Sequence, residues 1–279
     1  MRSSVALALA EDLAPLGDIT SALLPEDATA VADFVPRQRG VLAGTLCARE
    51  AYGQLDGALD VSWAASDGEL IAPGQVVGTV SGSMASILTG ERTALNFLCH
   101  LSGVATLTRR FADAAASGGT ARVWDTRKTT PGLRAIEKAA VRAGGAVNHR
   151  GNLSEWVMFK DNHLAVLGIE EAVAAAKAAW PGKLVHVEVT DLDELDQALR
   201  AGADAILLDN MSPEEALASV DVAAAWAAQH GGHRPLLECS GGITIETAAA
   251  YSATGVDLLS TSQITQSAPA LDIGLDIRA

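Results

Sequence analysis

The chain is short of cysteine, of long apolar runs and of positive charge, and each shortage argues against a class of protein. Its three cysteines, Cys47, Cys99 and Cys239, are widely separated, odd in number and never in C-x-x-C spacing. That pattern argues against a disulfide framework and a zinc knuckle and reads as three small buried hydrophobes. No stretch approaches the roughly 18 uncharged apolar residues that a membrane helix needs, so no membrane partner is expected. The opening MRSSVALALAEDL has a short apolar run that Glu11 and Asp12 interrupt before a signal peptide's apolar region is complete. A cytoplasmic protein is the expectation. The formal net charge of -14 argues against a nucleic-acid partner, because duplex binding is driven by basic surface that neutralises phosphates.

What is present suffices for a globular fold. A chain of 279 residues, 49% hydrophobic and 19% charged, can bury one large core, or one large and one small. The local charge runs against the total. Between Arg122 and Lys160 stand Arg122, Arg127, Lys128, Arg134, Lys138, Arg142, Arg150 and Lys160, opposed only by Asp125, Glu137 and Glu155. The densest part is DTRKTTPGLR at 125–134, directly after an apolar, strand-like lead-in. A small, focused anion site fits this segment.

The organisation changes near residue 103. Before it lie short strands punctuated by turns: GVLAG at 40–44, then VSWAA, ELIA and VVGTVSG, with Asp67-Gly68 and Pro73-Gly74 between them. DGELIAPGQVVGTVSG has the look of a lipoyl or biotinyl carrier hairpin, but no lysine sits at a turn to carry such a group. From Ile87 to Ala116 the apolar period is helical, with a break expected at Ser102-Gly103. After it one theme repeats: a short apolar run, a polar residue at its C-terminal end, then an alanine-rich helical stretch. The runs are ARVWDTRK, EWVMFKDNH, LVHVEVTD, AILLDNMS, PLLECSGG and VDLLSTSQ. This spacing predicts βα units and a parallel sheet. With no G-x-G-x-x-G after the first run, an α/β barrel is favoured over a doubly wound sheet.

Barrels of this kind place their chemistry at the C-terminal ends of the strands. There the sequence offers Asp125 to Lys128, Lys160 to His163, Glu188, Asp209-Asn210, Ser240 to Gly242 and Ser260 to Ser262. Arginine forks match carboxylates bidentately and lysines add point charges, so Arg127, Lys128, His149, Arg150 and Lys160 suit a substrate with several negative groups. Arg134, Lys138 and Arg142, spaced as on a helix, read equally well as a solvated helix face. Glu188 and Asp209 suit Mg²⁺ or the hydroxyls of a sugar. The ECSGGIT turn lets backbone N–H groups approach an anion, in the region where barrels often bind phosphate.

These residues resemble a known family. ILTGERTALNFLCHLSGVATLTRRF, DTRKTTPGLRAIEKAAVRAGGAVNHR, FKDNH, VEV, ILLDNMS, ECSGGIT and SAPALDIGLDI are similar to the quinolinate phosphoribosyltransferases, from EDLAPLGDITS at 11–21 to the C-terminus. The resemblance implies an N-terminal α/β sandwich domain at 1–102, on which the tail 268–279 packs, and an incomplete α/β barrel at 103–267. It implies transfer of phosphoribosyl from phosphoribosyl pyrophosphate to quinolinate with decarboxylation, Mg²⁺ as cofactor, and a homodimer, or a larger assembly, with shared active sites. Carried over by motif, Arg127, His149, Arg150 and Lys160 would hold the quinolinate carboxylates, with Arg92 arriving from the partner subunit. Thr126 would line the substrate site. Lys128 and Lys160 would face the pyrophosphate, Glu188 and Asp209 would hold the ribose hydroxyls and the metal, and Lys128, Lys160, Glu188 and Asp209 form the implied catalytic set. Ser240, Gly241, Gly242 and Ser262 would take phosphate.

The chain departs from the family in one turn. Where S-x-G-x-x-T-H-S is usual it reads STSQITQS, with Ser262 in place of glycine and Gln266 in place of histidine. Two other readings compete: a paralogue of the same fold encoded with molybdenum transport, and a non-catalytic sensor of a phosphorylated metabolite. The intact DTRKTTPGLR and NHR blocks argue against the first, and the joint presence of cationic and carboxylate sets against the second.

Overall fold

Alternation between apolar β-rich runs and alanine-rich stretches leaves the chain little choice of secondary structure. The computed structural model describes residues 1–278. Its elements are, in chain order, α1 (Arg2–Leu13), β1 (Thr29–Pro36), β2 (Gly40–Val41), α2 (Thr45–Leu55), β3 (Asp60–Trp63), β4 (Leu70–Ile71), β5 (Gly78–Ser83), α3 (Met84–Gly118), β6 (Arg122–Trp124) and α4 (Arg134–Ala143). They continue with β7 (Val157–Phe159), α5 (Asp161–Leu167), α6 (Ile169–Ala179), β8 (Val185–Val189), α7 (Leu192–Ala201), β9 (Ala205–Asp209) and α8 (Pro213–His230). The last are β10 (Leu236–Ser240), α9 (Ile245–Ala253), β11 (Leu258–Ser260), α10 (Gln263–Gln266) and β12 (Ile273–Ile277). Among the described residues no helix is long and apolar enough to cross a membrane.

The described residues form two compact units, one of residues 1–109, 129–145 and the chain from 264 on, the other of 110–128 and 146–263. The first is built on an antiparallel sheet of order β12-β1-β5-β3. The C-terminal strand lies beside β1, with Ala32 opposite Ile277, and Arg278 donates to both oxygens of Asp33 at 2.8 and 2.9 Å. Phe34 on β1 stacks on Trp63 of β3 at 4.9 Å and meets Tyr52 of α2 edge-on at 6.3 Å, which seats that helix on the sheet.

The break expected at Ser102-Gly103 is absent, and α3 runs unbroken through both residues. Neither residue is a helix stop here, because each serves a contact. A Cβ on Gly103 would lie 2.1 Å from the Pro269 carbonyl oxygen. The Ser102 hydroxyl donates to the Ala43 carbonyl and accepts from the Ala43 N–H. In α4 the solvated-face reading fails at Lys138, which is 6% exposed. Its neighbour Glu137 is fully buried, meets His100 Nε2 at 2.8 Å and accepts from the Thr130 N–H at 3.1 Å.

The second unit contains the repeated theme. All six expected runs become strands of one parallel sheet, ordered β6-β11-β10-β9-β8-β7. Among the described residues β6 and β7 are not paired with each other, so the barrel is open there and incomplete, as expected. Strand β8 is buried along its whole length and β9 along all but its last residue, as a parallel sheet covered by helices requires. Helices restart promptly after β8 and β9. Asp191 caps α7 by accepting from the Glu194 N–H, and Ser212 forms a capping box with Glu215 ahead of Pro213 in α8. The chain is thereby turned sharply just after β8 and after β9.

Candidate active site

Register places the polar ends in one layer. Ser240 pairs with Asp209 on one side and with Ser260 on the other, and Ser260 pairs with Trp124. Over this layer lies a cavity of about 610 Å³, within the usual range for small-molecule sites. Thr126, Arg127, Lys128, His149, Arg150 and Lys160 line it, as do Asp209, Ser240, Gly241, Gly242 and Ser262. Glu188 is reached through Lys160, whose Nζ forms an ion pair with it. Arg92 lies on α3 in the other unit and is exposed.

The cationic stretch owes its shape to buried acceptors. Asp125 is fully buried; its Oδ1 accepts from the His149 N–H at 2.8 Å and its Oδ2 from Asn148 Nδ2 at 2.7 Å. The carboxylate at the end of β6 thus fastens the NHR stretch beside the DTRK stretch. Thr126 Oγ1 accepts from the Lys128 N–H at 2.9 Å, folding the latter into a tight turn. Arg150 is 7% exposed. Burial, and then the like charge of Arg127, hold its pKa below the ordinary arginine value, as expected where cations are crowded to await an anion.

On the other strands the donors change sign. Asp209 ends β9, and its Oδ2 accepts from Asn210 Nδ2 at 2.7 Å. Asn210 has φ 55°, and its N–H donates to the Ser240 carbonyl. Gly241 has φ +92°, and a Cβ there would lie 2.2 Å from Asn210 Oδ1; only glycine fits this turn. The donors that Glu188 and Asp209 offer are oxygens, the ligand chemistry that Mg²⁺ selects.

Two residues of the site were not singled out from the sequence. Glu238 in β10 is fully buried and faces the cavity. His186 in β8 is 2% exposed. Their signal was legible: each is a polar residue inside an apolar strand, two positions before a rim residue, Ser240 and Glu188, and so on the same face. Burial pushes the His186 pKa down to about 4 despite the Glu238 carboxylate. Burial alone would raise the Glu238 carboxyl, but the His149 and His186 imidazoles and Ser260 outweigh it and hold it below the ordinary value.

Comparison with known proteins decides the family. A family model described as the quinolinate phosphoribosyl transferase C-terminal domain matches residues 104–276, and the corresponding N-terminal domain matches 18–102. The chain belongs to the quinolinate phosphoribosyl transferase family. It is 41% identical, over 99% of its length and 96% of the relative's, to the nicotinate-nucleotide pyrophosphorylase [carboxylating] of Mycobacterium leprae. The solved nicotinate-nucleotide pyrophosphorylase of Francisella tularensis superposes with a TM-score of 0.93 at 38% identity, covering 99% of this chain and 95% of that one. NadC from Streptococcus pyogenes gives 0.91 at 36% identity, covering 99% and 96%. As a member of the quinolinate phosphoribosyl transferase family the chain is an enzyme, a pentosyltransferase of NAD biosynthesis, and the molybdenum-associated and sensor readings are not favoured.

Proposed function

We propose that the cavity at the strand ends transfers the phosphoribosyl group of phosphoribosyl pyrophosphate to quinolinate, with release of pyrophosphate and CO₂, to give nicotinate mononucleotide. The observation that carries this assignment is the joint lining of one cavity by Arg127, Lys128, Arg150 and Lys160 together with Asp209 and the Ser240-Gly241-Gly242 turn. The first group suits a dicarboxylate, and the second a ribose and its phosphate.

In this reading Arg127 and Arg150 hold the quinolinate carboxylates, with His149 and Lys160 beside them and Arg92 of the partner subunit completing the set in a homodimer. Lys128 and Lys160 face the pyrophosphate. Glu188 and Asp209 hold the ribose hydroxyls and would ligate Mg²⁺, which when bound neutralises charge on the departing pyrophosphate. Ser240, Gly241, Gly242 and Ser262 take the 5′-phosphate. The ring nitrogen forms a bond to the anomeric carbon as the bond from that carbon to the pyrophosphate oxygen breaks. Nearby carboxylates stabilise the positive charge that develops on the ribose. The product is a pyridinium, so the adjacent carboxylate leaves as CO₂ with its electron pair received next to a positive nitrogen, and that carbon then takes a proton. No separate decarboxylation cofactor is needed, and positioning does most of the work. The cytoplasm, where both substrates are expected, is the compartment.

The test is incubation of the protein with quinolinate, phosphoribosyl pyrophosphate and Mg²⁺. Nicotinate mononucleotide should form, and EDTA should stop it. Equal use of nicotinic acid in place of quinolinate would refute the dicarboxylate assignment.

A further inference from the structure

Beneath the cationic side of the cavity His149 belongs to a buried group of three side chains with His186 and Glu238, of which the last two have been given no role. Glu238 Oε2 is 3.5 Å from His149 Nε2 and 3.4 Å from His186 Nε2. The two imidazoles lie nearly parallel, 22° apart, with centroids 5.9 Å apart. Trp124 and Trp156 enclose the His149 ring at 5.1 and 5.0 Å. Two histidines and a carboxylate whose ligand atoms all lie within 4.8 Å of one another have the composition of a zinc site.

A hydrogen bond on the far side of His149 decides between a metal and a proton. Its Nδ1 accepts from the Arg150 N–H at 2.8 Å. A nitrogen that accepts carries no proton, so the ring proton is on Nε2, the atom turned toward Glu238. Metal ligation through Nε2 would require the proton on Nδ1, where it would meet the Arg150 N–H head-on. The backbone therefore favours the tautomer that carries an N–H, and not a lone pair, on the ring nitrogen 3.5 Å from the carboxylate.

We propose that Glu238 is a positioning residue of the quinolinate site: its buried carboxylate draws the Nε2–H of His149 toward Oε2, leaves Nδ1 to accept from the Arg150 N–H, and so fixes the backbone that carries the Arg150 guanidinium. His186 Nε2 lies 3.4 Å from the same oxygen. The NHR stretch is then held at two points, by Asp125 through the His149 N–H and by Glu238 through the ring. An arginine that must meet a carboxylate with both prongs of its fork gains from such a fixed base. The inference rests on the assignment of the cavity to quinolinate, and its test separates the two.

Long-range ¹H–¹⁵N spectra of the full-length, histidine-labelled protein, with His149→Gln to identify the ring, should show Nε2 protonated and Nδ1 unprotonated. That readout does not need turnover, so it stands or falls apart from the substrate assignment, which wild-type product formation tests. Glu238→Leu should raise the KM for quinolinate about ten-fold or more and leave that for phosphoribosyl pyrophosphate within about two-fold. Glu238→Gln, which keeps an acceptor oxygen, should recover most of that loss and preserve the tautomer. If the leucine variant does not fold, the wild-type spectrum and the glutamine variant decide alone. A protonated Nδ1 in the wild type, a glutamine variant as impaired for quinolinate as the leucine one, or a parallel rise in both KM values would overturn the proposal. So would stoichiometric Zn²⁺ binding that His186→Gln abolishes.

Discussion

Lys160, just past the end of β7, and Glu188, in the neighbouring β8, form an ion pair at the rim of the cavity. Glu188 is nearly buried at 9% side-chain exposure while Lys160 is half exposed at 45%, so the pair is asymmetric. Removing the lysine strands a carboxylate that water reaches poorly, whereas removing the carboxylate leaves a lysine that water can still solvate. Lys160→Met should therefore cost activity about ten-fold or more, with much of the loss arising from the stranded charge. A double-mutant cycle with Glu188→Gln, read as kcat/KM, checks this. The double variant should lose clearly less than the product of the single losses, and independent losses would show that the pair is not coupled.

Arg127 and Arg134 stand seven positions apart in one cationic stretch but differ in setting. Arg127 lines the cavity, whereas Arg134 sits on α4 with its Nε donating to Thr129 Oγ1 at 3.0 Å. Loss of a desolvated, charge-assisted pair costs roughly 2–4 kcal/mol. Arg127→Ala should weaken quinolinate binding by tens-fold with the fold intact, and Arg134→Ala should do much less. Calorimetric titration of quinolinate into both variants decides it, and equal small effects would return Arg127 to the solvated surface.

The site was more legible than the long helix, for a physical reason. Strand ends are local: an apolar run, a polar residue and a helix start within about ten residues, so Lys160, Glu188, Asp209 and Ser240 could be placed from pattern alone. Glu238 and His186 obey the same alternation, but the apolar character of their strands hides them. Gly103 could not be read locally at all. Its reason is the Pro269 carbonyl, far away in sequence, and a helical glycine looks the same whether it breaks a helix or admits a neighbour. Lys138 was obscure in the same way, since spacing on a helix says which residues share a face but not what covers it.

Gly103 gives a stability prediction that depends on no activity. A Cβ placed 2.1 Å from a backbone oxygen cannot be accommodated by a side-chain rotation. In an open helix Gly→Ala would gain up to about 1 kcal/mol. Here the overpacking cost of about 1–3 kcal/mol or more outweighs it. Gly103→Ala should lower the urea midpoint, and an increase would show that residues 269–270 can move aside freely.

The cysteines carry a pH prediction. Burial raises the Cys239 thiol to about 12 and the Cys47 thiol to about 11. The thiolate is the nucleophile and appears only as pH approaches those values, so at pH 8 its fraction is on the order of 0.1% or less at either site. Native protein should react negligibly at Cys47 and Cys239 with a thiol reagent at pH 8, and urea should release both. Prompt reaction at either residue without denaturant would contradict its burial at 3% and 1% exposure.

Ser262 stands where the resemblance to the family leads to the expectation of a glycine. It lies between β11 and α10 and lines the cavity. If the turn approaches a phosphate, the serine Cβ restricts the backbone while its hydroxyl offers a donor. Alanine and glycine separate the two effects, because Ser262→Ala removes the hydroxyl alone and Ser262→Gly removes the Cβ as well. A neutral hydrogen bond to phosphate is worth roughly 1 kcal/mol or more. The alanine variant should therefore bind phosphoribosyl pyrophosphate several-fold more weakly. Glycine should recover part of the loss through its freer backbone, with quinolinate binding little changed in either. Unaltered phosphoribosyl pyrophosphate affinity in both variants would place Ser262 outside the phosphate site and leave Ser240, Gly241 and Gly242 to hold the phosphate alone.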